Sequence, residues 1–394
     1  MKIGNELRHA SRLAKRPMRG RYLVQSLSSY ALISIIDGVL GMLPIQRQQP
    51  FASARKVLLA SWAHAGDLVL SLPAADALRQ IFPRASISML AGSWSRGLVE
   101  ASASIEKAYY VDHWRLNRDQ TPLYEKVMRY GKMRAAAVRA IKNEGFDIAI
   151  DVYPFFPPAH PLFYAANVPV RVGFSSGGFA GLLTHAVEWK NASRPISECY
   201  IKMLKYVFQQ EVRTSGPVWD IENFDLPRPL SERGFTNFIV VHPGAGARFK
   251  EWSFEEWRNL IRILESEGEY IVITGSGKRE AEIASRLMMH ASRAINLVGL
   301  TSWREFLGTV AHARCVFCTD SVAGHVAAVF ESPAVSIFTG ANDVAQWAPK
   351  NPRGKVLVAD TRCSPCYQPG CSHMSCIRGV TAERVMKAFH DVTR

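Results

Sequence analysis

Three turns in this 394-residue chain bring polar and small residues to places where a parallel sheet binds its ligands. In the first, Ala65-Gly66-Asp67 follows the apolar run 56–61 and opens a helix. Ligands of open parallel sheets sit beyond the carboxyl ends of the strands, so Asp67 is placed to accept a proton from a substrate hydroxyl. A first-turn Asp is equally a helix cap, and both readings stand. In the second turn, His242-Pro243-Gly244-Ala245-Gly246 runs through Arg248 and Lys250 into a helix opened by Ser253 and Glu256 as a capping box. Glycine lets backbone approach a ligand, a helix start offers free N–H groups to phosphate, and Lys250 adds positive charge. This turn is neither a Walker phosphate loop nor a dinucleotide fingerprint, and Gly275-Ser276-Gly277 also lacks the third glycine. The third turn, Asp320-Ser321-Val322-Ala323-Gly324-His325, offers backbone N–H groups and an imidazole to a diphosphate or a ribose. Its plainer reading makes Asp320 and Ser321 caps and His325 a partly buried histidine.

The elements that must position these turns alternate between short apolar runs and amphipathic helices. Strands are expected at 56–61, 86–92 and 146–153, then at 238–242, 270–275, 315–320, 334–340 and 355–360. Helices are expected around 124–144 and 196–209, with Ser302 and Glu305 capping another. Strands separated by helices imply βαβ units. Two such series flank a Pro-rich stretch at 214–234, so the expectation is two Rossmann-like domains facing each other across a cleft. They run from 56 to 215 and from 235 to 394. Trp252 and Trp347 are candidate cleft walls, although tryptophan at helical spacing is more often core.

The net charge of +14 is uneven: residues 1–55 carry nine Lys/Arg against Glu6 and Asp37, which is +7. The apolar run 22–36 ends at Asp37, too short to span a bilayer. Leu32, Ile36, Val39, Leu40 and Leu43 form a helical stripe. A basic cluster followed by an amphipathic helix is the pattern of an anchor on anionic lipid. The alternative is a helix that packs on the body of the protein. A signal peptide fits less well, and no nucleic-acid motif accompanies the charge. At 48% hydrophobic and 21% charged, the composition excludes a largely disordered chain.

All seven cysteines fall after residue 198, which is unlike a secreted disulfide framework and points to a reducing cytoplasm. Cys363-x2-Cys366-x4-Cys371-x4-Cys376 is a candidate structural zinc or iron site, the alternative being packed thiols or disulfides formed on oxidation.

KVLLASWAHAGDLVLSLPAADALRQIFP, VVHPGAGARFKEWSFEEWRNL, VITGSGKREAEIA and NLVGLTSWREFLGTVAHARCVFCTDSVAGHVAAV, in that order, resemble glycosyltransferase family 9, the heptosyltransferases. The resemblance implies an α/β protein of the GT-B fold, with Asp67 as general base. Gly244, Ala245, Gly246, Lys250, Glu280, Asp320, Ser321, Gly324 and His325 would bind the donor, with Lys250 on the phosphates and Glu280 suited to a ribose. It implies inverting transfer without a metal, from ADP-heptose or a related nucleotide sugar to an envelope glycan such as lipopolysaccharide core. The enzyme would be cytoplasmic and peripheral on the inner membrane face. The sequence departs from the family at Val322, where glycine is usual, and at Ser253, which replaces proline. Val322 motivates two alternatives, another nucleotide sugar or a non-catalytic glycan- or nucleotide-binding protein.

Overall fold

The computed structural model describes residues 22–23, 27–42, 54–190, 193–213, 219, 224–232, 234–235, 237–366 and 371–394. The basic residues from Lys2 to Arg21, Arg47, Leu43 and most of the Pro-rich stretch lie outside the described residues. Contacts divide the chain into two units, with 17–217 in one and 218–394 in the other.

The N-terminal unit is a six-stranded sheet in the order β3-β2-β1-β4-β5-β6. Its strands are β1 (Lys56–Ala60), β2 (Ser86–Ala91), β3 (Lys107–Tyr110), β4 (Ile148–Asp151), β5 (Val170–Phe174) and β6 (His185–Val187), all paired in parallel. The C-terminal unit repeats the plan as β12-β11-β10-β7-β8-β9. Here β7 is Ile239–His242, β8 Ile271–Ile273, β9 Ala294–Asn296, β10 Cys315–Thr319, β11 Ala334–Ile337 and β12 Gly354–Leu357. Both orders are that of a Rossmann sheet, with helices supplying the crossovers.

The central strands are those the hydrophobic runs announce, because strands buried on both faces read as continuous apolar segments. Four strands escape such a reading. β3 is partly exposed, and β6 and β9 have only three residues each. β5 carries the buried Arg171, whose guanidinium donates to the carbonyls of Leu182 at 2.7 Å and Val168 at 2.5 Å. Those carbonyls replace the water a guanidinium otherwise needs. Cys315 and Cys318 are fully buried in β10 and serve as small core residues.

One expected cap is half formed. Ser253 Oγ accepts the Glu256 N–H at 3.2 Å, but the Glu256 carboxylate is diverted to the Ala382 N–H at 2.7 Å. That N–H opens the last helix, Ala382–Val392, which packs on Phe254–Ser266. The box at Ser302 and Glu305 is complete.

The helix Leu27–Leu40 belongs to the N-terminal unit. Ile33 lies against Gly178, and Asp37 is buried, accepting from Tyr22 Oη at 2.8 Å and from the Ala180 N–H at 3.0 Å. The residue that interrupts the apolar run therefore fastens the helix to the body. The opposite face leaves Leu27, Leu32, Ile35 and Val39 exposed, so the stripe through Leu32 and Val39 is not the packing face. No described helix is long and apolar enough to cross a membrane.

Candidate functional site

Strand order reverses between β1 and β4 in the first sheet and between β7 and β10 in the second. At such a switch point the flanking loops diverge and leave a crevice beyond the carboxyl ends. Asp67 follows β1, the Gly244 turn follows β7, and Asp320 follows β10.

In the C-terminal unit the two turns interlock. Thr319 Oγ1 donates to the Gly244 carbonyl at 2.6 Å. Lys250 Nζ lies 2.7 Å from Asp320 Oδ2, which also accepts from Asn342 Nδ2 at 3.3 Å. Glu280 enters from the helix Lys278–Met288, accepts the Ser276 N–H and rests on the Cα of Gly244. A Cβ on residue 244 would stand 2.1 Å from Glu280 Oε1, so the glycine lets this carboxylate lie against the backbone, and a larger residue would displace it. Burial pushes the Glu280 pKa upward, against the pull of the Ser276 N–H.

The helix Val322–Val329 begins in the same crevice. Ser321 occupies its N-cap position but makes no capping hydrogen bond, so the plainer reading of Ser321 as a cap does not hold. The first-turn N–H groups, which an α-helix cannot satisfy internally, are left without that side chain as acceptor. Val322 takes the first helical position and is only partly buried. His325 is buried, its Nδ1 has no hydrogen-bond partner, and burial lowers its pKa to about 4, so the ring is neutral. Gly324 faces the sheet: a Cβ there would come within 2.9 Å of Ser336 Oγ and 3.1 Å of Cys318 Sγ. Its place is in helix-to-sheet packing. Ala245 is partly exposed and Gly246 exposed at the rim.

In the N-terminal unit Asp67 Oδ2 accepts the His64 N–H at 3.1 Å, so the capping role is realised while the residue stays partly exposed. Two phenols feel its charge, the buried Tyr200 and the partly buried Tyr153. The pKa values of Tyr153 and Tyr200 are raised by burial first and by Asp67 next. Asp151, at the end of β4, is fully buried and accepts the N–H groups of Ala159 at 2.6 Å and Tyr153 at 3.0 Å. Burial raises its pKa to about 7, and its Oδ2 lies 3.5 Å from His160 Nε2. Asp151 ties down the loop that follows β4 and does not reach solvent.

The sequence reading missed Asp151, Tyr153, Tyr200, Thr319 and Asn342. One signal was present: FDIAID ends a strand in Asp as CVFCTD does, and both strands flank a switch point.

The cysteine tail does not form the expected ligand set. Cys376 is buried beside Gly340, Cys371 Sγ accepts the Met374 N–H at 3.3 Å, and Cys363 Sγ donates to Thr361 Oγ1 at 3.7 Å. Among the described residues no three His, Cys, Asp or Glu side chains are gathered as a metal site. Trp252 is core and not a wall: it is 4% exposed, donates to the Val380 carbonyl and meets Trp257 edge-on.

Two Rossmann-like units, each a six-stranded parallel sheet with one switch point, are the construction of the GT-B glycosyltransferases, and this is the class of the fold. Solved structures agree: the chain aligns with a glycosyl transferase family 9 protein from Veillonella parvula at TM-score 0.71 and 16% identity, covering 88% of this chain and 99% of that one. It aligns with the ADP-heptose lipopolysaccharide heptosyltransferase II of Escherichia coli at TM-score 0.69 and 18% identity, covering 86% and 98%. Among curated sequences, lipopolysaccharide heptosyltransferase 2 of Salmonella typhimurium is 24% identical over 370 residues, 86% of this chain and 98% of the relative. The profile of glycosyltransferase family 9 (heptosyltransferase) matches residues 134–376. The chain belongs to this family and is a glycosyltransferase.

Proposed function

We propose that this enzyme transfers heptose from ADP-heptose to a lipopolysaccharide core glycan, with inversion and without a metal. The observation that carries the reading is the C-terminal crevice, where Lys250, Asp320, Glu280 and the uncapped start of the helix Val322–Val329 converge. Lys250 and the helix N–H groups stabilise the leaving diphosphate, the electrostatic task a divalent ion performs elsewhere. Glu280, held against Gly244, offers its carboxylate to ribose hydroxyls. Asp67 takes the proton of the acceptor hydroxyl as that oxygen attacks the anomeric carbon. The names of the relatives supply the sugar and the acceptor.

Thermal shift against a panel of nucleotide sugars tests the donor. Selective stabilisation by ADP-heptose is expected, and stabilisation by a different nucleotide sugar alone replaces it. No shift with any of them favours a non-catalytic binding protein, the reading motivated by Val322.

The same reading places the enzyme on the cytoplasmic face of the inner membrane, through the basic arm and the exposed apolar face of Leu27–Leu40. A further exposed set, Leu123, Tyr124 and Met128, opens the Lys- and Arg-rich helix Leu123–Glu144 and supports this attachment. A structural zinc or iron on the cysteine tail is the remaining element, and it would require the thiols to be drawn together from their present partners. Metal analysis of protein purified under reducing conditions decides it, and a metal-free, fully active preparation removes it.

A further inference from the structure

The N-terminal unit contains a cavity of about 400 Å³ beyond the carboxyl ends of β5 and β6. That size lies within the range of small-molecule pockets. Phe174, the last residue of β5, meets Trp189 edge-on at 5.1 Å, and Tyr206 completes an aromatic wall. Lys190, Arg194 and Lys202 line the same space. Among the described residues none of the three is ion-paired with a carboxylate, and the buried Arg194 Nε has no hydrogen-bond partner. Glu188 is the one acidic residue in the lining, so the cavity carries an excess of positive charge. Arg194 and Lys202 both act on the Cys199 thiol, drawing its pKa down against the burial that raises it. Glu198 acts on the same thiol in the opposite sense, and both cations stand near Cys199, which lines the cavity.

A buried guanidinium Nε–H left without an acceptor is costly unless a ligand completes it. Aromatic faces beside cations suit a ring that is apolar on its faces and anionic at its edge. The helix Ile196–Phe208, which supplies Cys199, Lys202, Met203 and Tyr206 to the cavity, is the link to the turn that carries Asp67. Tyr200, next to Cys199 on the helix Ile196–Phe208, feels the Asp67 charge, and that helix packs along Ala65–Ile81.

We propose that this cavity binds a negatively charged sugar, a pyranose bearing a phosphate or a carboxylate, with the ring against Trp189 and the anion on Arg194 and Lys202. Its use as a subsite for a second sugar of the acceptor rests on the transferase reading above. It makes acceptor choice depend on a charged sugar beyond the one that is attacked.

The test uses the full chain labelled with 5-fluorotryptophan, with the Trp189 fluorine resonance assigned through Trp189→Phe. Glucose 6-phosphate, glucuronic acid, glucose and inorganic phosphate are titrated without donor. A saturable shift of the Trp189 resonance is expected with one or both anionic sugars. Roughly tenfold weaker binding is expected in Arg194→Met and in Lys202→Met, and glucose and phosphate should bind much more weakly. Three results overturn the proposal: no shift with either anionic sugar, titrations unchanged in both methionine variants, or inorganic phosphate binding as well as the sugar phosphate. The two anionic sugars separate phosphate from carboxylate recognition. ADP binding, followed in the same samples by thermal shift, reports on the C-terminal unit. Anionic-sugar binding lost with ADP binding kept defeats this proposal alone, and the reverse defeats the donor reading alone.

Discussion

The Lys250 ammonium sits 2.7 Å from the Asp320 carboxylate, and the two residues follow neighbouring strands, β7 and β10. A diphosphate entering the crevice competes with Asp320 for that ammonium. Lys250→Met should weaken ADP binding by roughly 10- to 100-fold, the worth of a charge-assisted hydrogen bond. Asp320→Asn frees the lysine and should strengthen binding of inorganic diphosphate. Calorimetric titration measures both, and weaker diphosphate binding in Asp320→Asn would show that the pair acts as a unit.

Gly244→Ala drives a methyl into the Glu280 carboxylate. Overpacking of this kind costs about 1–3 kcal/mol. The melting temperature should fall in Gly244→Ala and recover in part when Glu280→Ala is added, because two residues in contact are not additive. Two equal and independent losses would mean that the close approach is not what demands the glycine.

Asp67→Asn should reduce turnover by roughly 100- to 10,000-fold, the range for loss of a general base. ADP binding should persist, since the residues proposed to hold it lie in the other unit. The lost capping interaction costs only about 1 kcal/mol, visible as a small drop in melting temperature. Full turnover in this variant would leave Asp67 with its cap alone.

Acid should unfold the protein in part through its histidines. The His325 pKa is pushed down to about 4 from 6.5 by burial, and His113, His160 and His242 behave alike. Between those values the unfolded chain takes protons that the folded one refuses, so the histidines' contribution to stability is full above pH 6.5 and falls as the pH drops toward 4. Asp151 has the opposite sign: with its pKa raised to about 7 from 3.8, it loses its contribution as pH rises through that interval. His325→Gln should flatten the melting curve against pH between about 6.5 and 4, which calorimetry across that range measures. A curve parallel to the wild type would show that His325 does not carry the effect.

Leu32→Ser, Ile35→Ser and Val39→Ser together change only side chains exposed on the helix Leu27–Leu40. The melting temperature should stay within about a degree, since surface changes of this kind cost little. Sedimentation with anionic vesicles should fall severalfold. Unchanged sedimentation would remove this face from the membrane contact.

Much of the fold was legible because its signals are local. Apolar runs marked the central strands, and the Ser253 and Ser302 caps marked helix starts. What stayed hidden depended on neighbours distant in sequence. β5 was obscured by Arg171, a charge made tolerable by carbonyls that only the folded chain supplies. Glu256 looked like half of a capping box, and tertiary packing gave its carboxylate to Ala382.

By itself the sequence determined the family, the alternation of strand and helix, and the three turns that carry Asp67, Lys250 and Asp320. These follow from periodicity and turn chemistry, which act over a few residues. Tertiary structure decided what those residues meet. Parallel pairing of β7 with β10 sets Thr319 on the Gly244 carbonyl and Lys250 on Asp320. It also turned Asp37 from a break in an apolar run into the buried tie of the first described helix. Side-chain partners across a sheet depend on strand order, and strand order is settled by burial of the whole chain rather than by any one segment.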